Sequence, residues 1–130
     1  MSEKRAVSTQ AAPTAIGPYS QGITCRGWYF FSGQIPLDPR SGTMVGKDIV
    51  EQTKQVLGNI SALLSSQKLT PKDVVKTTVF LKNMGDFQAF NEIYSQFFSS
   101  PFPARSTVEV ARLPKDALIE IEVIAAQHEG

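Results

Sequence analysis

Leu118-Ile119-Glu120-Ile121-Glu122-Val123-Ile124-Ala125-Ala126 alternates so as to place apolar residues on both sides of an extended segment. Ile119, Ile121 and Val123 share one side, while Leu118 and Ile124 share the other with Glu120 and Glu122, because successive strand side chains point to opposite faces. Such a strand belongs to a sheet with both faces covered. Just upstream, residues 105–110 alternate in the same way. The connection Ala111-Arg112-Leu113-Pro114-Lys115-Asp116-Ala117 is rich in turn formers, so the two strands are expected to close the chain as a hairpin.

Moving toward the N-terminus, residues 74–81 are rich in Val, Thr and Phe and short enough for a strand. Val75, Thr77, Val79 and Leu81 take one side and Val74, Lys76, Thr78 and Phe80 the other. Between the strands, Asn83 is the expected N-cap of a helix whose Phe87, Phe90, Tyr94, Phe97 and Phe98 form one stripe. That stripe reads as core, and Pro101 and Pro103 follow the helix. An earlier helix is marked by Ile49, Thr53, Val56, Leu57, Ile60, Leu63 and Leu64, with Asp48 and Glu51 spaced for a capping box. It should stop near Gln67, since Pro71 cannot continue it and restricts Thr70. Residues 19–25 and 28–32 read as two strands around Arg26-Gly27, followed by a loop carrying Pro36, Pro39 and Gly42. Residues 1–15 show no periodicity and are expected to be a frayed segment, with order beginning at Ile16-Gly17-Pro18-Tyr19.

The order strand, strand, helix, strand, helix, strand, strand gives one α+β domain over residues 1–130, with one sheet and two helices on one face. Two helices cover only one face. The apolar surface left on the other is expected to be buried by self-association.

Composition narrows the function. The chain has 130 residues and a formal net charge of +1, with 42% hydrophobic and 19% charged residues, which is globular and far from the basic excess of a nucleic-acid binder. One cysteine, Cys25, permits no internal disulfide and no cysteine-rich zinc site, and it reads as a small core residue. A single histidine, His128, in the C-terminal tail argues against a Cys-His pair and against histidine-based metal sites, so no metal is expected. There is no glycine-rich nucleotide fingerprint, no signal-peptide pattern and no apolar run of membrane length. The expected setting is the cytoplasm, with a short organellar leader left open. Asn59-Ile60-Ser61 matches a glycosylation acceptor but lies within the first helix and reads as chance.

Three charges interrupt the strands where packing residues would fit: Arg105, Glu120 and Glu122. A guanidinium is a permanent cation with a planar fork suited to a carboxylate, and a nearby carboxylate can orient or deprotonate water. Together they could serve a small organic acid. The plain alternative is a cross-strand ion pair between Arg105 and a glutamate. Hairpin register would decide: facing residues summing to an odd number put Arg105 on the glutamate face, and an even sum puts it with Ile121 and Val123.

Ile16-Gly17-Pro18-Tyr19-Ser20-Gln21-Gly22, Ser32-Gly33-Gln34-Ile35-Pro36, Val75-Lys76-Thr77-Thr78-Val79-Phe80, Phe102-Pro103-Ala104-Arg105-Ser106, Val108-Glu109-Val110-Ala111-Arg112-Leu113-Pro114 and Ile119-Glu120-Ile121-Glu122 together resemble the Rid (YjgF-type) family, most closely its RidA subgroup. The resemblance spans residues 16–126. It implies a chorismate-mutase-like α+β fold, a homotrimer with sites between subunits, and hydrolysis of 2-imino acids such as 2-iminopropanoate and 2-iminobutanoate to 2-keto acids and ammonia. No cofactor is implied. By position, Arg105 would bind the substrate carboxylate and Glu120 would hold the attacking water. Tyr19, the Ser32-Gly33 backbone and Asn91 would line the pocket. Thr107, also counted with the pocket, stands where the family often has cysteine, so no thiol role carries over. Two other readings stay open: a trimeric small-carboxylate-binding regulatory or interaction module, and an endoribonuclease.

Overall fold

The computed structural model describes residues 3–128, and residues 1, 2, 129 and 130 at the two ends of the anticipated domain lie outside it. The elements are β1 (Arg5–Val7), β2 (Gly22–Cys25), β3 (Trp28–Gln34), α1 (Ile49–Ser66), β4 (Val74–Leu81), α2 (Phe87–Phe97), β5 (Ala104–Glu109) and β6 (Ile119–Ala126). The strands make one six-stranded sheet in the order β1-β2-β3-β6-β4-β5. Every pairing is antiparallel except β4 with β5, which run parallel because α2 provides the crossover between them. This is the expected α+β sheet with two helices on one face.

The expected closing hairpin is not formed. β6 pairs with β3 on one side and β4 on the other, and β5 lies beyond β4 at the sheet edge. The physical reason is burial. β6 offers Ile119, Ile121, Val123 and Ala125 to a buried face and takes the centre, whereas β5 is mostly exposed and tolerates an edge.

The described residues before Ile16 are ordered, contrary to the fraying expected of that segment. β1 pairs with β2, and Gln21 clamps the segment between. Its side-chain amide donates to the carbonyls of Thr9, Ala12 and Pro13 at 3.0, 3.2 and 2.8 Å and accepts from the Thr9 N–H at 2.7 Å. A buried glutamine thus replaces the apolar periodicity that the segment lacks.

Helix α1 follows its periodicity closely, burying Ile49, Val56, Leu57, Ile60, Leu63 and Leu64. Asp48 caps it by accepting from the Glu51 N–H at 2.9 Å, but Glu51 accepts from Lys47 rather than Asp48, so only half of the capping box forms. Asn83 does not cap α2: a short 3-10 turn over Met84–Asp86 precedes that helix, and Glu109 from β5 accepts the Met84 N–H at 2.8 Å. In β4 an irregularity between Val74 and Lys76 turns Val74 into the core and leaves Val75 exposed, reversing the two sides expected for them. Cys25 is half-buried on the helix-free face rather than in the core.

Register fixes which side chains share a face. Arg105, Thr77, Val123 and Phe31 form one row across β5, β4, β6 and β3, with Thr77, Val123 and Phe31 buried beneath the helices. Val108, Phe80 and Glu120 form a row on the opposite face, where Trp28 and Phe30 are 46% and 47% exposed.

Candidate functional site

Arg105 enters on the helix side of the edge strand β5. Its Nη1 donates to Asn91 Oδ1 at 2.8 Å, one partner on α2 fixing the fork. Its guanidinium carbon lies 5.4, 5.6 and 4.7 Å from the ring centroids of Phe87, Phe90 and Tyr94, a cation–π cradle built by the aromatic stripe. Tyr94 is itself fixed by a 2.8 Å hydrogen bond between its hydroxyl and that of Thr77. Burial raises the Tyr94 pKa, against the opposing pull of Thr77 and Arg105, and keeps the phenol neutral. Arg105 is therefore held by an amide and three rings, with no carboxylate among its partners in the described residues.

Thr107 lies two residues on, on the same face, paired with Val79. Its hydroxyl oxygen is buried and has no hydrogen-bond partner among the described residues.

Glu120 belongs to the other face and to a different hollow. A cleft of about 590 Å³ brings together Tyr19, Ser32, Gly33 and Glu120, and adds Ile16, Gln34 and Lys115. The Ser32-Gly33 step falls in the irregular stretch of the β3–β6 ladder, and the Ser32 hydroxyl donates to Ser20 O at 2.6 Å, tying this step to the segment carrying Tyr19. Glu120 lies against Gly33. A Cβ placed there would collide with Glu120 Oε2 and come within 2.9 Å of its Cδ, so glycine leaves the room that the carboxylate occupies. Burial pushes the Glu120 carboxyl above the ordinary glutamate range, and the Glu122 charge adds to the shift.

The anticipated residues thus fall into two groups. Arg105, Asn91 and Thr107 sit at β5 and α2; Tyr19, Ser32, Gly33 and Glu120 sit in the cleft on the far side of β6. The parity question falls away with the hairpin, since β5 and β6 never face each other; the two ladders of β4 put Arg105 on the face of Ile121 and Val123. An ion pair between Arg105 and Glu120 or Glu122 within one chain is excluded by β4 standing between their strands and by the opposite faces they occupy.

Sequence reasoning did not assign the aromatic stripe a second role, nor the cleft its Lys115. The stripe's spacing is that of any packed helix, and only the placement of β5 beside it makes the rings a seat for a cation. A larger hollow, about 770 Å³, lies around Arg5, Cys25 and Arg26 and contains none of the anticipated residues. Among the described residues no group of three or more His, Cys, Asp or Glu could hold a metal ion, and no helix is long and apolar enough to cross a membrane.

The sequence family described as endoribonuclease L-PSP matches residues 9–127. A RutC family protein of Pyrococcus horikoshii is 52% identical over 94% of this chain and 97% of its own. The 2-iminobutanoate/2-iminopropanoate deaminase of Salmonella typhimurium is 48% identical over 95% of this chain and 98% of its own. Among solved structures, the YjgF gene product of E. coli superposes with a TM-score of 0.89 at 44% identity, covering 95% of this chain and 99% of that one.

Proposed function

Since this chain belongs to the endoribonuclease L-PSP family, the Rid (YjgF-type) proteins, with the RidA subgroup as its kin, we propose that it hydrolyses 2-imino acids such as 2-iminopropanoate and 2-iminobutanoate to 2-keto acids and ammonia. The sites in this reading lie between copies of the chain, assembled as a homotrimer. Its main support is the Arg105 guanidinium, a fixed cation immobilised by Asn91 and three rings with no carboxylate among its described partners, as a seat for a small carboxylate requires.

The chemistry asks little of the protein. A protonated imine is electrophilic at carbon 2, and attack by water there gives a carbinolamine that expels ammonia and leaves the ketone. Arg105 orients the substrate through its carboxylate. Glu120, aided by its raised pKa, takes a proton from the water and returns one to the departing nitrogen. Tyr19 and the Ser32-Gly33 backbone shape the wall behind the carbon. A barrier lowered by about 3–5 kcal/mol, roughly 10²- to 10⁴-fold in rate, is enough for such a reactive substrate. RNA cleavage draws no comparable support, since the net charge is +1 and the single histidine, His128, is bound 2.8 Å from Asp73 rather than lining the cleft.

Arg105 and Glu120 occupy opposite faces of one sheet, so the reading requires Arg105 from one copy to meet Glu120 from the next. The test is subunit mixing. Arg105→Ala and Glu120→Gln are each expected to be inactive on 2-iminopropanoate generated in place from alanine by an amino-acid oxidase. Denatured together in equal amounts and refolded, they should recover about a quarter of wild-type activity, since random assembly pairs the two intact groups in about one seam in four. A mixture as inactive as its components would place both groups in one chain's site and overturn the shared seam. Saturable keto-acid binding without turnover by the wild type would favour a carboxylate-binding module.

A further inference from the structure

Four described residues other than glycine adopt left-handed backbone angles: Arg26, Lys68, Lys115 and Asp116. Two have ordinary explanations. Arg26 precedes Gly27 in the β2–β3 turn, where both central residues take positive φ. Lys68 follows α1 in a Schellman arrangement, with Leu69 N–H donating to Leu64 O at 2.9 Å and Lys68 N–H to Ser65 O at 3.0 Å. Lys115 at φ 55° and Asp116 at φ 56° are consecutive, in a turn that is neither a hairpin nor a helix cap.

That conformation is disfavoured for a lysine, and the surroundings enforce it. Buried Leu113 and Ala117 anchor the turn on either side. Asp116 N–H donates to Leu113 O at 3.0 Å, Ala117 N–H donates to Pro114 O at 3.1 Å, and Arg112 Nε reaches Asp116 Oδ1 at 2.9 Å. The outcome is that Lys115 lines the Glu120 cleft, where these two are the only formally charged residues among the described lining. They do not pair with each other, and Lys115 makes no ion pair among the described residues. Within one chain, the cleft would otherwise present only carboxylate charge, from Glu120 with Glu122 close by, to an anion that must enter it before reaching Arg105 of the next copy.

We propose that Lys115 is a substrate-capture residue, its ammonium held at the cleft by the left-handed turn so that it meets the carboxylate of the incoming acid and offsets the repulsion of Glu120. This rests on the imino-acid reading and adds a second cation to it. Arg105 fixes the bound acid, while Lys115 acts on entry and affinity.

The experiment compares Lys115→Gln, Lys115→Arg and Lys115→Gly with wild type, using 2-iminopropanoate turnover, its dependence on NaCl, thermal unfolding, and titration with 2-ketobutanoate. Lys115→Gln should raise KM about 3–10-fold with kcat within about twofold of wild type, and should flatten the fall of kcat/KM with salt. Lys115→Arg should restore both. Lys115→Gly relieves the backbone, so its Tm should rise by about 2–4 °C while its KM rises as for Gln, a trade of stability against binding. A wild-type KM and salt response in Lys115→Gln, or a stabilised Lys115→Gly with unaltered KM, overturns the proposal. Absence of wild-type turnover would instead overturn the deaminase reading. The 2-ketobutanoate titration then judges Lys115 by itself: a Kd raised about 3–10-fold in Lys115→Gln supports it, and an unchanged Kd overturns it.

Discussion

Burial and the charge of Glu122 both favour the neutral form of Glu120, and this has consequences in two directions. As a base, Glu120 must be ionised, so the acidic limb of kcat/KM should lie above the ordinary glutamate range of about 4.3. Glu122→Gln removes the smaller of the two causes. The limb should then move to lower pH but stop short of that ordinary value, because burial remains. For stability, the folded state holds this proton more tightly than the unfolded chain does, so folding weakens as pH rises from the unfolded pKa through the raised one. The Glu122→Gln protein should accordingly lose less Tm than wild type between pH 4 and pH 7. A pH–rate profile superimposable on wild type would show that Glu122 has no hold on the reacting base. Both charges were legible in the sequence as interruptions of an alternating strand. What could not be read was that Arg105 and Glu120 face away from each other, because that depends on β4 lying between their strands.

At the level of elements, helix α1 followed directly from apolar spacing, since burial of one face is a local pattern. Strand β1 did not, because three residues carry no pattern and the segment that follows it is anchored by a glutamine twelve positions beyond Thr9. The start of α2 departs from its expected cap for a similar reason: the 3-10 turn ahead of it is held by Glu109, remote in sequence, which accepts the Met84 N–H, while Asn83 makes no side-chain cap. Gln21→Ala leaves the N–H of Thr9 and three carbonyls without their partner, at a cost of about 2–3 kcal/mol. Hydrogen exchange should report the loss selectively. Amides of residues 5–12 should lose protection, while those of Val79 and Ile121 in the sheet centre keep theirs. Uniform loss across the sheet would mean that the N-terminal segment is integral to the core rather than clamped onto it.

For the molecule as a whole, the exposed side of the sheet displays Trp28, Phe30 and Val108, the last 43% exposed, on a face that neither helix covers. A monomer with such a face is a poor end state. The proposed trimer should therefore sediment as a three-chain species. Phe30→Asp should yield a single-chain species, folded by circular dichroism and inactive because no neighbouring copy completes the seam. A wild type that sediments as one chain would remove the basis for shared sites.

The central position of β6 also has a bearing on biosynthesis. The ribosome delivers this strand after all the others. Until it emerges, the nascent chain holds two separate fragments, β1-β2-β3 and β4-β5, with the edges of β3 and β4 bare. A message truncated before Ile119 should therefore give an aggregating product that needs chaperone shielding, not a weakened protein.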